Sequence, residues 1–283
     1  MKLLLAICVS LTMTLGSLLH AQDLAGVATY KTQRKVDIQL DSAQIGDAMK
    51  QQILAQLKKQ FERTYLLDFN KTESVYKQEE SLDGPAMGGG GGMQFVVAGS
   101  GDADILYKNV NDHRFANLNE MFGKMFLIKD TLTQRKWTLT KESKNIGNYT
   151  CFKATYDYER EAMRTSISTN GEDVEMDQEP EMETITVTAW YTPQIPVQNG
   201  PDTYYGLPGL ILEVNDGELN ILCSKIVLNP KGGVDVSEPN SGKEVSQAEY
   251  DAILEKKMQD MEEQMNDGRR RGDGHGIEIR IGG

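Results

Sequence analysis

Residues 205–214 read YGLPGLILEV, and this stretch decides the fold because a Leu-Pro-Gly corner stands directly before a run of aliphatic residues. Proline at 208 and glycine at 209 are typical of the two central positions of a type II turn, where the glycine has a positive φ. Residues 210–214 would then form a strand, residues 215–217 a hairpin turn and residues 218–228 the returning strand. The stretch therefore predicts antiparallel β-structure.

The corner has two interpretations. In the first, the corner is a rigid structural motif, and the strand that follows it enters the core and is covered on both sides. The residues of this motif are Gly206, Leu207, Pro208, Gly209, Leu210 and Ile211. In the second, the corner is the lip of a hydrophobic pocket. The residues of this predicted ligand-binding lip are Trp190, Tyr191, Tyr204, Tyr205, Leu207 and Leu210. A catalytic role is disfavoured, because GLPGLI contains no nucleophile, base or metal ligand.

Short strand-like runs separated by turns fill residues 104–158, and another follows at residues 183–191. Connections of only a few residues join antiparallel strands, whereas parallel strands need a crossover of about a dozen residues or more. Two segments have the apolar periodicity of helices, residues 42–61 and residues 247–266, each behind a capping box. We expect a β-rich α+β fold: about ten antiparallel strands in a curved sheet or incomplete barrel, the first helix on its concave face and the second at the C terminus.

The composition also predicts the boundaries of the domains. A glycine-rich stretch at 81–103 and an acidic stretch at 170–183, with seven acids in its last twelve residues, have no core-forming pattern and are expected to be loops. The predicted organisation is a signal peptide at 1–21, a β-rich domain at 22–245 that contains both loops, a C-terminal helix at 246–267 and a flexible tail at 268–283.

The N terminus predicts export. Residues 1–21 combine one lysine, an apolar run and small residues before a cleavage point between Ala21 and Gln22, which is the pattern of a secretory signal. Cys8 lies inside the apolar run and not at the cleavage point, so we expect a periplasmic or secreted protein without a lipid anchor or membrane span. The chain has a net charge of −12, which disfavours nucleic acid as a partner.

Two cysteines remain after the predicted cleavage, Cys151 and Cys223. Each stands in a strand-like run of an exported chain, which favours a disulfide over a metal site. Such a bridge would close a loop of roughly 70 residues and stabilise the fold by about 4 kcal/mol. A pair of buried thiols is the alternative.

Few residues suggest chemistry. His113 is the only histidine before the tail in the predicted mature chain, and no zinc or nucleophile-elbow motif accompanies it. Asp173, Glu175 and Asp177 alternate as in a calcium loop, but the glycine and the closing glutamate that such a loop requires are missing. We therefore expect no metal site and no cofactor. Paired carboxylates for hydrolysis stay possible, since folding and not sequence spacing sets their distance.

The corner and its surroundings resemble the GLPGLI family of exported bacterial proteins, known mostly from Bacteroidetes. The resemblance rests on the hexapeptide at 206–211 and on Ala189-Trp190-Tyr191-Thr192, Ile195-Pro196 and Gly200-Pro201 before it. Residues further upstream also match the family's general pattern: Leu67 to Asn70, Ser74, Tyr76, Trp137, Tyr149, Cys151, Lys153 and Ala154. It implies no activity and no catalytic residues.

These features lead to three functional hypotheses. The first is a non-catalytic exported envelope protein that binds a hydrophobic ligand or a polypeptide segment in an apolar groove. The second is an accessory protein that docks on another envelope protein through an exposed strand edge or the acidic stretch. The third is a hydrolase with a carboxylate site that no motif reveals.

Overall fold

A computed structural model describes residues 24–34, 62–79, 104–161 and 182–271 of the chain. The predicted signal peptide, the predicted helix at 42–61, the glycine-rich loop and nearly all of the acidic loop lie outside these ranges. The elements are β1 (Gly26–Arg34), β2 (Arg63–Phe69), β3 (Glu73–Gln78), β4 (Ile105–Asn109), β5 (Arg114–Met121), β6 (Lys124–Thr131), β7 (Thr138–Ile146), β8 (Tyr149–Glu161), β9 (Met182–Thr192), β10 (Leu210–Asn215), β11 (Leu219–Leu228), β12 (Lys243–Val245) and helix α1 (Gln247–Arg271).

All twelve strands belong to one sheet, in the order β12-β6-β5-β4-β3-β2-β1-β11-β10-β9-β8-β7. Strands β1 to β6 pair antiparallel in chain order, as do strands β7 to β11, and the antiparallel pairing of β1 with β11 joins these two halves of the sheet. The sheet does not close, because β12 and β7 are its two edges. Its architecture therefore brings a strand from the start of the chain beside one near residue 220.

The predicted fold class is wrong in four respects. The sheet has twelve strands and not about ten, it is open and not an incomplete barrel, and β12 runs parallel to β6. Among the residues that the structure describes, α1 is the only helix, and no helix packs on the concave face of the sheet. Apolar periodicity indicates that a segment is helical and amphipathic, but it does not specify the surface against which the helix packs.

The C-terminal helix packs at the β12 edge of the sheet. Its predicted capping box is confirmed, since the Ser246 backbone N–H donates to Glu249 Oε2 at 2.8 Å and the Glu249 N–H donates to Ser246 Oγ at 3.3 Å. Tyr250 stands edge-on to Phe126, with 5.6 Å between ring centroids. The helix continues to Arg271, four residues into the predicted tail, because arginine is a good helix former.

The strand after the Leu-Pro-Gly corner lies at the centre of the main core, as the sequence predicts. Leu210, Ile211 and Leu212 of β10 are at most 1% exposed, so both faces of this strand are covered. The predicted hairpin turn that follows is also confirmed, because Asp216 Oδ1 accepts hydrogen bonds from the backbone N–H groups of Glu218 and Leu219.

The two cysteines are buried free thiols in this core, so the structure does not contain the predicted disulfide. Burial raises the pKa of Cys151 to about 11 and that of Cys223 to about 12. Both groups are therefore protonated at neutral pH and have little access to reagents.

We expect a thiol-specific disulfide reagent at pH 8 to label neither cysteine in the native protein and to label both after denaturation in urea without reductant. The physical reason is that the reactive thiolate is almost absent and the sulfur atoms are enclosed. Absorbance of the released chromophore counts the labelled thiols. A count of zero in urea would show a disulfide instead.

Candidate functional site

The Leu-Pro-Gly corner is tighter than the type II turn that the sequence predicts. The Gly209 N–H donates to the carbonyl oxygen of Leu207 at 2.8 Å, and the Leu210 N–H donates to Ile195 at 2.9 Å, whereas a type II turn would bond Leu210 to Leu207. The φ of Gly209 is 159°, far from the value of about 80° that such a turn needs. The type II prediction is therefore wrong, because Leu210 bonds to the preceding loop.

Gly209 is required at this corner because the backbone passes close to it. A Cβ atom on residue 209 would lie 2.2 Å from the carbonyl oxygen of Thr192 and 2.8 Å from the nitrogen of Pro193. These are backbone atoms of the strand end beside the corner, so no side chain can move aside to make room.

Residues 193–209, which we name the corner loop, are held to the sheet by a buried lysine. Lys108 of β4 is fully buried, and its Nζ donates to the carbonyl oxygens of Gly200 at 2.7 Å, Asp202 at 2.5 Å and Tyr204 at 3.3 Å. Burial lowers the pKa of Lys108 to about 7, while the nearby Asp202 carboxyl acts in the opposite direction. The lysine thus fixes the middle of the corner loop.

The segment before β7 holds the other side of the corner loop. Arg135 donates to the backbone oxygen and the hydroxyl of Thr203, and its guanidinium lies 4.7 Å from the centre of the Tyr204 ring. The Trp137 indole N–H donates to the carbonyl oxygen of Tyr205 at 2.9 Å. These contacts give the loop and the start of β7 one fixed relative position.

The predicted lip residues lie mostly in the core. Tyr191, Tyr204, Tyr205, Leu207 and Leu210 are each at most 8% exposed. Trp190 is partly buried, and its ring lies 4.4 Å from the Lys144 ammonium. Of the six, Leu207 is the one that lines the groove described next.

A groove of about 480 Å³ runs between the start of β7 and the corner. One wall is Gln134, Arg135, Lys136, Trp137 and Leu139, and the other is Gly206, Leu207 and Pro208. Leu139 is 55% exposed, so the groove presents an apolar side chain to solvent. We name this feature the corner groove.

The corner groove continues into the free edge of β7. This strand pairs with β8 on one side, and no strand of the described sheet lies on its other side. Its register with β8 shifts between Leu139 and Ser143, which is a β-bulge or irregularity. The sequence suggests an exposed edge as one possible docking element, but it does not identify the strand, because sheet order depends on long-range pairing.

A group of titratable side chains includes Asp202 of the corner loop, Asp104 directly before β4, Tyr65 of β2 and Tyr76 of β3. Burial raises the pKa of Asp104 to about 6, opposed by a hydrogen bond from Asn119 Nδ2 at 2.5 Å, and the charge of Asp202 raises it further. Burial also raises the pKa of Asp202, while Lys108 and Arg135 lower it. Raised carboxyl pKa values of this kind occur at functional sites and in structural networks alike.

Two stacked tyrosines complete this group. The rings of Tyr65 and Tyr76 lie 4.8 Å apart and almost parallel, and the buried Tyr76 hydroxyl has no hydrogen-bond partner in the described part of the protein. No sequence motif marks these residues, because strand pairing and not chain spacing brings them together.

The raised pKa of Asp104 predicts a pH-dependent stability. Its folded-state value of about 6 exceeds the ordinary value of 3.8, so the folded state binds this proton more tightly and loses stability as pH rises through 6. Because Asp104 is partly exposed, we expect a loss of about 1 kcal/mol between pH 4 and pH 7. Urea unfolding at several pH values should show this slope, and Asp104→Asn should reduce it. An unchanged slope in that variant would contradict the assignment.

The described ranges, residues 24–34, 62–79, 104–161 and 182–271, show no metal site and no membrane-spanning helix. Within them no group of three or more His, Cys, Asp or Glu residues could hold a metal ion. His113 is exposed in the turn between β4 and β5. In the same ranges, no helix is both long and apolar enough to cross a membrane.

Comparisons with known proteins give limited matches. Residues 137–213 match a family model described as a protein of unknown function (Porph_ging), a family found in Bacteroidetes. The matched region contains β7 and the whole corner loop. The family model does not carry the name GLPGLI, so the resemblance to the GLPGLI family is not confirmed by this match. No curated protein matches the chain.

Two solved structures of PNGF-II, in space groups C2 and P21, are similar to this chain at 12% sequence identity, with TM-scores of 0.46 and 0.45. The similarity covers 82% of this chain, and 32% and 33% of those chains. The chain thus spans about a third of the length of these proteins. Likeness at this level does not extend to function.

Proposed function

We propose that this protein is a non-catalytic exported binding protein that holds an extended polypeptide segment along the free edge of β7 and in the corner groove. The observation that carries the proposal is that the edge strand β7, irregular between Leu139 and Ser143, begins in a groove beside the corner. A polypeptide is favoured over a small hydrophobic ligand, because most of the predicted lip residues pack inside the core.

Strand addition is the mechanism that this geometry supports. An edge strand has unpaired backbone N–H and C=O groups that a second extended chain can bond, while an adjoining pocket selects its side chains. The contacts of Arg135 and Trp137 with the corner loop hold the groove walls in place before a ligand binds. Such preorganisation lowers the entropic cost of binding.

Export is part of the same proposal. It is supported by the signal-like pattern at residues 1–21 and by the resemblance to exported proteins. A periplasmic or secreted location would place the β7 edge among envelope proteins, which is where the partner is expected. Cell fractionation with detection of the cleaved N terminus at Gln22 tests this step.

The binding experiment uses a phage library of random twelve-residue peptides and the mature protein, followed by calorimetry of the selected peptides. Leu139→Asn should weaken binding about ten-fold, equal to about 1.4 kcal/mol, because it removes an apolar side chain from the groove wall. Leu222→Asn is the matched control, since Leu222 is a partly exposed leucine on β11.

The control variant should bind like the wild type. Failure to select any peptide with a Kd below about 1 mM would refute the proposed function. Equal affinity of the Leu139 variant and the wild type would place the peptide elsewhere on the protein.

A carboxylate hydrolase is the second candidate, favoured by the raised pKa values of Asp104 and Asp202. Glycoside hydrolysis uses two carboxyl groups, one of them with a raised pKa, and the charge of Asp202 contributes to the raised pKa of Asp104. Release of nitrophenol from a panel of nitrophenyl glycosides at pH 5, lost in Asp104→Asn and kept in Asp112→Asn, would support this candidate over the first.

A further inference from the structure

We infer that the segment accepted by the β7 edge is acidic, an inference that rests on the proposed function above. Residues 135–144 read RKWTLTKESK and contain four cationic residues and one acidic residue, a net charge of +3. The whole chain has a net charge of −12. The corner groove and β7 are therefore a positive strip on a strongly negative protein, and a strip of this sign attracts an acidic partner.

Internal contacts neutralise only some of these charges. Lys144 donates to Glu213 Oε2 at 2.6 Å, and the one acidic side chain of the strip, Glu142, is bonded by Lys153 at 2.9 Å. Lys136 and Lys141 are exposed and have no carboxylate within 4 Å among the described residues. One free cation, Lys141, therefore stands on the β7 edge and a second, Lys136, in the wall of the corner groove, while the only carboxylate of the strip is already paired.

Edge lysines have another known use, which is to prevent two copies of a protein from pairing through their edges. Two β7 strands brought together would place lysine near lysine, whereas an acidic segment would place carboxylates there. The same two side chains thus disfavour a second copy and favour an acidic partner. The two roles differ in what charge reversal does to peptide binding.

The occupant we commit to is therefore an extended, acidic segment of a partner protein. It would bond the β7 backbone, place carboxylates near Lys136 and Lys141, and place an apolar side chain in the corner groove beside Leu139. Charge attraction between exposed groups weakens as salt rises, so the preference should depend on ionic strength.

The test uses three twelve-residue peptides that alternate threonine with glutamate, glutamine or lysine and carry one central leucine. Fluorescence anisotropy with the mature protein measures their affinity at 25 mM and 150 mM NaCl. We expect the glutamate peptide to bind at least about ten-fold tighter than the glutamine peptide at low salt, with a smaller advantage at high salt. The lysine peptide should bind most weakly.

The double variant Lys136→Glu/Lys141→Glu should reverse this order. Its matched control is Lys225→Glu/Lys231→Glu, which makes the same change in net charge at exposed positions away from β7. The control should keep the wild-type order, and both variants should unfold at the wild-type urea concentration.

Each other outcome separates the inference from the function on which it rests. Equal affinity for the glutamate and glutamine peptides would overturn the acidic preference and leave peptide binding intact. Binding of none of the three peptides would contradict both. Dimer formation by Lys136→Glu/Lys141→Glu in sedimentation, with unchanged affinity for the glutamate peptide, would show that the lysines serve only to prevent self-pairing.

Discussion

Gly209→Ala is expected to cause a large loss of stability at 25 °C. The added Cβ atom would stand 2.2 Å from the Thr192 oxygen and 2.5 Å from its carbonyl carbon, so the strand end and the corner would have to separate. That separation would break the bond from Leu210 to Ile195 and expose fully buried aliphatic residues of β10. We expect a loss of more than about 4 kcal/mol, against a total stability of about 5–15 kcal/mol for a typical protein.

Two other glycines provide graded controls for this substitution. A Cβ atom on Gly232 would meet nothing within 4 Å, so Gly232→Ala should change the free energy of unfolding by less than about 0.5 kcal/mol. Gly206 also has open space but a φ of 89°, so Gly206→Ala should cost about 1–2 kcal/mol through backbone strain. Urea unfolding followed by circular dichroism measures all three. A Gly209 variant as stable as the Gly206 variant would contradict the close approach at the corner.

Local signals in the sequence predict local structure well in this protein. The Asn-Asp-Gly turn after β10 and the Ser246–Glu249 capping box are both confirmed, because each depends on residues within a few positions of one another. The burial of the strand after the corner also follows from its aliphatic run. In these places the residues that determine the structure are close together in the sequence.

Long-range pairing could not be predicted in the same way. The order of the sheet depends on the contact of β1 with β11, almost 200 residues apart in sequence, and on the parallel addition of β12 to β6. The prediction of a type II turn was wrong for a related reason. The Leu210 N–H donates to the carbonyl oxygen of Ile195 in the corner loop and not to that of Leu207, as a type II turn requires. The hydrogen-bond partner of a turn residue was decided by packing.

The candidate site illustrates the same difference. The GLPGLI hexapeptide is the most distinctive motif of the sequence, but its leucine and isoleucine side chains pack in the core. The side chains that orient the corner, Lys108 and Arg135, stand in ordinary strand and turn contexts such as ILYKN, where a lysine reads as an exposed residue. Only the folded chain shows that Lys108 points at carbonyl groups more than 90 positions away.

Lys108→Met is the second substitution for which we expect a large effect. Removing a buried charge can stabilise a protein when the partners of that charge are replaced as well, because desolvation of the charge is costly. Here the partners are the backbone carbonyls of Gly200, Asp202 and Tyr204, which no substitution removes. Methionine would leave them buried without a donor, so we expect a loss of about 3–5 kcal/mol.

Lys77→Met on the neighbouring strand β3 is the matched control. Its ammonium is partly exposed and lies 3.6 Å from Asp68, so we expect a change of less than about 1 kcal/mol in the free energy of unfolding. Hydrogen exchange adds a local measurement, because loss of the lysine should first expose the bond from the Ile211 N–H to the Asn199 oxygen at the corner loop. Wild-type stability and wild-type protection of the Ile211 N–H in Lys108→Met would contradict this role of the lysine. In that case the contacts of Arg135 and Trp137 would be sufficient to hold the corner loop and to keep the corner groove formed.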